Sequence, residues 1–166
     1  IKYEEINSIE EIEFNKKSNF SAKETILPIT QVLFYFTEKE YKASDIEDKK
    51  LLVFLRACDL NGVKRIDEIY LRNGIERDYF YERLREKVKF VLIGCRESFR
   101  NCFCVSMNSN KSDDYSMALN LRDEEIYLDI KDEALNVFSG EDTDFVVDFV
   151  KENIINVEIP KNLNSV

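Results

Sequence analysis

KLLVFLRAC, residues 50–58, and VKFVLIGC, residues 88–95, are near-continuous apolar runs bounded by charges. That is the pattern of strands covered on both faces. Between them lie two helical stretches. Asp59 reads as the N-cap of a helix over LNGVKRIDEIYL, in which Leu60, Val63, Ile66, Ile69 and Tyr70 recur at helical spacing. Asn73–Gly74 ends it. RDYFYERLREKV, residues 77–88, reads as a second, charged helix with Tyr79, Phe80 and Leu84 facing inward. A strand–helix–helix–strand order is a βαβ crossover, which favours two parallel strands in one sheet.

Working outward, residues 1–25 are charged with scattered Ile and Phe, and read as an extended strand or two. ILPITQVLFYF, residues 26–36, has Pro28 near its start and apolar residues at helical spacing, which fits a short helix. TEKEYKASDIEDKK follows as a surface connection. Past the second strand, YSMALNLRD and EIYLDIKD alternate as strands do. Helices near 132–138 and 143–153 and a short strand at NVEIP complete the chain. The fold class expected is α/β: a mixed sheet containing the βαβ crossover, flanked by helices, in a single domain.

Composition bounds the function. The 166 residues are 44% hydrophobic and 34% charged, enough for one packed core. A net charge of −9 gives no basic surface to replace counterions on phosphates, so no nucleic-acid partner is expected. No stretch nears the ~20 apolar residues needed to cross a bilayer, so no membrane role is expected either. With no histidine, a Ser-His-Asp or Cys-His arrangement and His-ligated zinc cannot be built from this chain. The four glycines are isolated, so there is neither a phosphate loop nor a dinucleotide fingerprint.

Four cysteines remain: Cys58, Cys95, Cys102 and Cys104, spaced C-x36-C-x6-C-x-C. They are too sparse for a disulfide scaffold, which points to a reducing cytoplasm. Cys58 and Cys95 end the two crossover strands, at the sheet edge where ligands of open α/β sheets bind. Four thiolates meet the ligand count of a [4Fe–4S] cluster or a tetrahedral zinc. Two C-x2-C pairs, usual for zinc, are absent. Cysteine is also a common core residue, and Cys58 and Cys95 suit that role as well. Cys102 and Cys104 suit it less, because residues two apart in an extended segment share a face. The spacing alone leaves both readings open. Arg56 and Asp59 flank Cys58 as an ion pair or as groups that tune the site.

SNFSAKETILPITQVLFYF, LLVFLRACDLNGVKRIDEIYL, YFYERLREKVKFVLIGCRESFRNCFCVSM and YSMALNLRDEEIYLDI occur in that order. The combination of RACDL with CFCVSM resembles the family of anaerobic sulfite reductase A subunits and the related beta subunits of cytoplasmic sulfhydrogenases. The resemblance covers residues 14–130 most clearly. It implies an electron-transfer subunit, relaying electrons from a flavin-bearing, NADH-oxidising subunit toward the sirohaem subunit that reduces sulfite to sulfide. The family's C-x2-C-x2-C-x3-C-P ferredoxin runs are missing from this sequence. Residues 1–166, beginning with Ile1 rather than Met, therefore read as an amino-terminal α/β domain without the ferredoxin-type domain. On this reading Cys58, Cys95, Cys102 and Cys104 are the ligands of a [4Fe–4S] cluster, and the chain alone catalyses nothing. Two alternatives stand beside it: a structural assembly module with core thiols, and a thiol-dependent redox enzyme using Cys102 or Cys104.

Overall fold

A computed structural model describes residues 2–45, 48–122 and 125–136. The crossover is as expected. Strand β3 (Leu51–Arg56) leads directly into helix α1 (Ala57–Leu71), then helix α2 (Tyr79–Arg85) and strand β4 (Val88–Ile93). β3 and β4 pair in parallel from Leu51 opposite Val88 to Arg56 opposite Ile93. Strand β5 (Met117–Arg122) adds parallel to β4, and β6 (Glu125–Ile130) adds antiparallel to β5. The result is a mixed four-stranded sheet in the order β3-β4-β5-β6. A separate hairpin joins β1 (Phe34–Phe36) to β2 (Tyr41–Ala43).

Side-chain alternation distributes the core over two faces of the sheet. Val53 and Leu55 of β3, Val88, Phe90 and Leu92 of β4, and Ala118 of β5 bury toward the helices. Leu60 and Val63 of α1 and Tyr81 of α2 meet them there. Val91, Met117 and Leu119 fill the other face, with Phe14 and Leu135 against them. Leu60, Leu92 and Val91 are fully buried, and each such side chain contributes about 1.5–3 kcal/mol relative to exposure. β4 is buried on both faces because it is central. β3 is an edge strand, so Leu52 stays exposed and Phe54 only half-buried.

The helix pair is locked by a buried polar network. Asp67 of α1 accepts from the Tyr81 hydroxyl at 2.5 Å and from Arg85 Nε at 3.1 and 3.2 Å. The Tyr70 and Tyr81 rings stack with centroids 4.9 Å apart, and the Arg85 guanidinium lies 4.6 Å from the Phe90 ring centroid. Burial and the Asp67 carboxylate push the Tyr81 hydroxyl pKa above the usual range. Tyr81 is thus the inward residue of α2, whereas Tyr79 is exposed and Phe80 and Leu84 are half-buried. The expectation for Tyr79 is corrected by the short helix, whose N-cap Asp78 accepts from Tyr81 N and sets the rotation.

Further expectations are corrected. Helix α1 begins at Ala57 with Arg56 as its N-cap residue, so Asp59 lies in the first turn rather than at the cap. Residues 2–25 form two 3-10 turns, Ile9–Glu11 and Ala22–Thr25, and no strand. Residues 26–36 are irregular up to β1 rather than helical. The connection after them contains β2, because Thr37 N and Glu40 O close a turn that pairs Phe36 with Tyr41. Near 132–138 the described residues hold a 3-10 turn, Glu133–Leu135. The expected helix at 143–153 and strand at NVEIP lie outside the described residues.

Candidate functional site

The parallel register places the first two cysteines. Arg56 pairs with Ile93, and Cys58 and Cys95 each follow two positions later, on the same carboxyl edge of the sheet. Cys58 is the second residue of α1, because β3 passes into the helix without a loop. Cys95 leaves β4 just after Gly94, whose N–H donates to Leu119 O at 3.2 Å.

Cys102 and Cys104 lie on a tightly turned loop. Cys102 N donates to Phe99 O, and Ser109 N donates to Cys104 O at 2.9 Å. Asn101 and Asn108 take positive φ of 67° and 51°, a region asparagine tolerates better than most side chains. Asn61 of α1 reaches across to the loop's end, donating to Lys111 O at 2.8 Å and Ser109 O at 3.3 Å. The segment is turned rather than extended, yet Cys102 and Cys104 still face one space.

That space is a cavity of about 440 Å³ lined by Cys58, Cys95, Cys102 and Cys104, with Arg56 and Asp59 beside them. Its volume lies in the range of small-molecule and cofactor sites. The amino-terminal segment forms one wall through Tyr3, Lys17 and Phe20, and Phe99 and Phe103 of the loop form another. Cys58 is solvent-accessible and the other three thiols are half-buried, so none is a fully buried core residue. The accessible surface of Cys58 opens into this concave space, where the surrounding protein still withdraws bulk water.

The electrostatics follow from that enclosure. Desolvation, then the Asp59 charge, pushes the Cys58 thiol up to about 12, with Cys95 and Cys104 near enough to add to the effect. Burial also raises Cys104, with Cys102 and Cys95 contributing. Burial raises the Asp59 carboxyl, opposed by its hydrogen bond from Tyr3 and the charge of Arg56. Tyr3 Oη donates to Asp59 Oδ2 at 3.2 Å. Arg56 is not the direct partner of Asp59. Its Nη1 donates to Cys95 Sγ at 3.1 Å and its Nη2 donates to Phe14 O at 2.8 Å and Lys16 O at 3.3 Å. The guanidinium also stacks on Phe99, 4.4 Å from the ring centroid.

The donor set is sulfur alone. Among the described residues no three His, Cys, Asp or Glu side chains are grouped to hold one metal ion. The four cysteines line one cavity. By ligand type alone, four thiolates meet the count of a four-iron cluster, with one thiolate at each iron, or of a tetrahedral zinc. Cys58, Cys95, Cys102 and Cys104 are the residues that would hold a metal or cluster bound in this cavity.

Reading the sequence located the four cysteines, Arg56 and Asp59, and the structure brings all six to one cavity. Tyr3, Phe14, Asn61 and Phe99 were not identified. Tyr3 and Phe14 carry no local signal, since their roles depend on where the amino-terminal segment docks. Asn61 had one: an amide in the first turns of a helix starting at a ligand-bearing sheet edge.

Among the described residues no helix is long and apolar enough to cross a membrane. No family model and no solved structure matches this chain. The chain is 29% identical over 110 residues to Sulfhydrogenase 2 subunit beta of Pyrococcus furiosus, an alignment covering 66% of this chain and 32% of that protein. It spans about a third of the length of that relative, and the similarity relates this α/β domain to a sulfhydrogenase beta subunit.

Proposed function

We propose that this chain is an iron–sulfur electron-transfer domain of a multi-subunit oxidoreductase, holding a [4Fe–4S] cluster on Cys58, Cys95, Cys102 and Cys104. One observation carries the reading: cysteines spread over 47 positions of sequence, from 58 to 104, line a single cavity at the carboxyl edge of a parallel strand pair. A bound cluster supplies one-electron storage. The protein supplies the rest: α1 and the turned loop orient the thiols, the amino-terminal segment limits water, and Arg56 sets a positive charge against the Cys95 sulfur.

The similarity to a sulfhydrogenase beta subunit supports a role as one subunit among several. The order of RACDL and CFCVSM supports the narrower assignment to anaerobic sulfite reductase. There the chain relays electrons in the cytoplasm from a flavin-bearing, NADH-oxidising subunit toward a sirohaem subunit that reduces sulfite. Further clusters then reside on a ferredoxin-type domain outside these residues. Exposed Phe34, Tyr35, Phe36 and Tyr41 on the β1–β2 hairpin support contact with other subunits. A thiol enzyme is less well supported, because an activated thiol needs a lowered pKa and Cys104, one of its two candidate nucleophiles, is raised, while the sequence has no histidine to activate either.

Anaerobic reconstitution with iron and sulfide tests this. Wild type should gain a broad visible absorbance and bound iron that Cys58→Ala and Cys104→Ala lose. Equal and negligible iron in all three proteins would leave a structural assembly module as the function.

A further inference from the structure

We propose that Arg56 is a positioning residue with two linked tasks: it latches the amino-terminal segment over the thiol cavity and fixes a positive charge on the sulfur of Cys95. The charge task rests on the cluster reading; the latch does not.

Three elements meet at this one side chain. Arg56 is the last residue of β3, so its backbone is held by the pairing with Ile93 of β4. From there the guanidinium splits its two ends. Nη1 serves Cys95 Sγ at 3.1 Å, and Nη2 serves the Phe14 and Lys16 carbonyls at 2.8 and 3.3 Å. The Phe99 ring, 4.4 Å away, supports the plane of the fork from the cysteine loop. A planar fork with separated donors can hold a sulfur and two carbonyls at once, whereas an ammonium is a single point charge. The segment so held is the same one that supplies Lys17 and Phe20 to the cavity wall. Releasing the carbonyls of Phe14 and Lys16 therefore opens the cavity on that side.

Two consequences can be separated. First, trypsin must attack the Lys16 carbonyl to cut between Lys16 and Lys17, and that oxygen is one of the two that Arg56 holds. Second, a one-electron reduction adds negative charge to the cluster. A cation donating to a ligand sulfur stabilises the reduced form, so losing it moves the midpoint potential to more negative values.

The test uses the full chain and the variants Arg56→Gln and Arg56→Lys, with a thermal scan to show that each is folded. In the metal-free proteins, mass spectrometry follows the Lys16–Lys17 cut against the Lys39–Glu40 cut in the hairpin turn. Arg56→Gln should speed the first by roughly tenfold, as expected for loss of hydrogen bonds from a charged donor, and leave the second unchanged. In the reconstituted proteins, a redox titration followed by electron paramagnetic resonance should show a more negative midpoint for Arg56→Gln. Arg56→Lys, which keeps the charge, should return toward wild type. Wild-type cleavage in Arg56→Gln overturns the latch. A midpoint in Arg56→Lys that tracks Arg56→Gln overturns the charge role and leaves only altered packing. If wild type itself takes up no cluster, the proposed function fails, and the cleavage experiment still decides the latch.

Discussion

The two ends of α1 gather the same four residue types, an aspartate of the helix with a tyrosine, an arginine and a phenylalanine from other segments, and use them in opposite ways. Toward its carboxyl end, Asp67 receives both Tyr81 and Arg85, and Arg85 stacks on Phe90. Acid, base and hydroxyl close on one another, and Asp67 is almost completely buried. At the amino end, Asp59 receives Tyr3, while Arg56 stacks on Phe99 and turns to Cys95 and two backbone carbonyls. A closed set stabilises a helix pair. An open set leaves a carboxylate and a guanidinium facing a cavity. The difference is one of partner choice, and it shows why two aspartates of one helix serve stability at one end and a site at the other.

The largest expected effect breaks the closed set. Asp67→Ala leaves the largely buried Arg85 charge without its acid, which should cost about 3 kcal/mol, the lower range for breaking a buried pair. Asp59→Ala removes no direct partner of Arg56 and a carboxyl already disfavoured by burial, so it should cost under ~1 kcal/mol. Urea denaturation of both variants reads the contrast. Equal losses would mean that the two ends are held alike, and the comparison would not stand.

Next in size is the loop that completes the open end. Asn101 holds φ at 67° immediately before Cys102, a conformation that costs a residue with a Cβ roughly 1–2 kcal/mol and a β-branched one the most. Asn101→Val should therefore destabilise the loop by about that amount, whereas Asn101→Gly should be nearly neutral. Tryptic cleavage after Arg100 measures it locally: fast in the valine variant, near wild type in the glycine variant. Similar behaviour of the two would show that the loop does not depend on this turn.

How much of this could be read from the sequence divides along the same line. The crossover was legible because its strands are continuous apolar runs and α1 repeats at helical spacing, both local properties. Cys58 and Cys95 were placed at one sheet edge by that topology alone. The rotation of α2 was not legible: it turns on Asp78 capping Tyr81 N and on Tyr81 reaching Asp67, fourteen positions away. Nor was the start of α1, where Arg56 caps no backbone amide with its side chain yet precedes the helix. The amino-terminal wall was missed altogether. Its contacts, Tyr3 to Asp59 and Phe14 and Lys16 to Arg56, span about forty positions or more, and no periodicity announces them.

The smallest effect supplies a reference between the two ends of α1, a part-buried acid–base pair away from both. Lys89 of β4 donates to Asp132 Oδ2, and Ala134 N donates to Asp132 Oδ1 at 3.0 Å. The Lys89 hydrogen bond, then that from Ala134, holds the Asp132 carboxyl below its usual range. Its folded pKa lies below the unfolded value, so the unfolded chain binds the extra proton as the solution is acidified. The stabilisation is therefore full above the unfolded carboxylate pKa, near ~4, and is lost as pH falls through the lower folded value. Asp132→Asn keeps the turn-capping oxygen and removes only the charge. Wild type should exceed it slightly in stability at neutral pH, and the two denaturation curves should converge under acid. Salt should narrow the gap at neutral pH only in part, because about a third of each side chain faces solvent. A gap that persists in acid would assign the effect to the cap instead of the charge. It would then no longer serve as the part-buried reference against which the more deeply buried Asp67 set is judged.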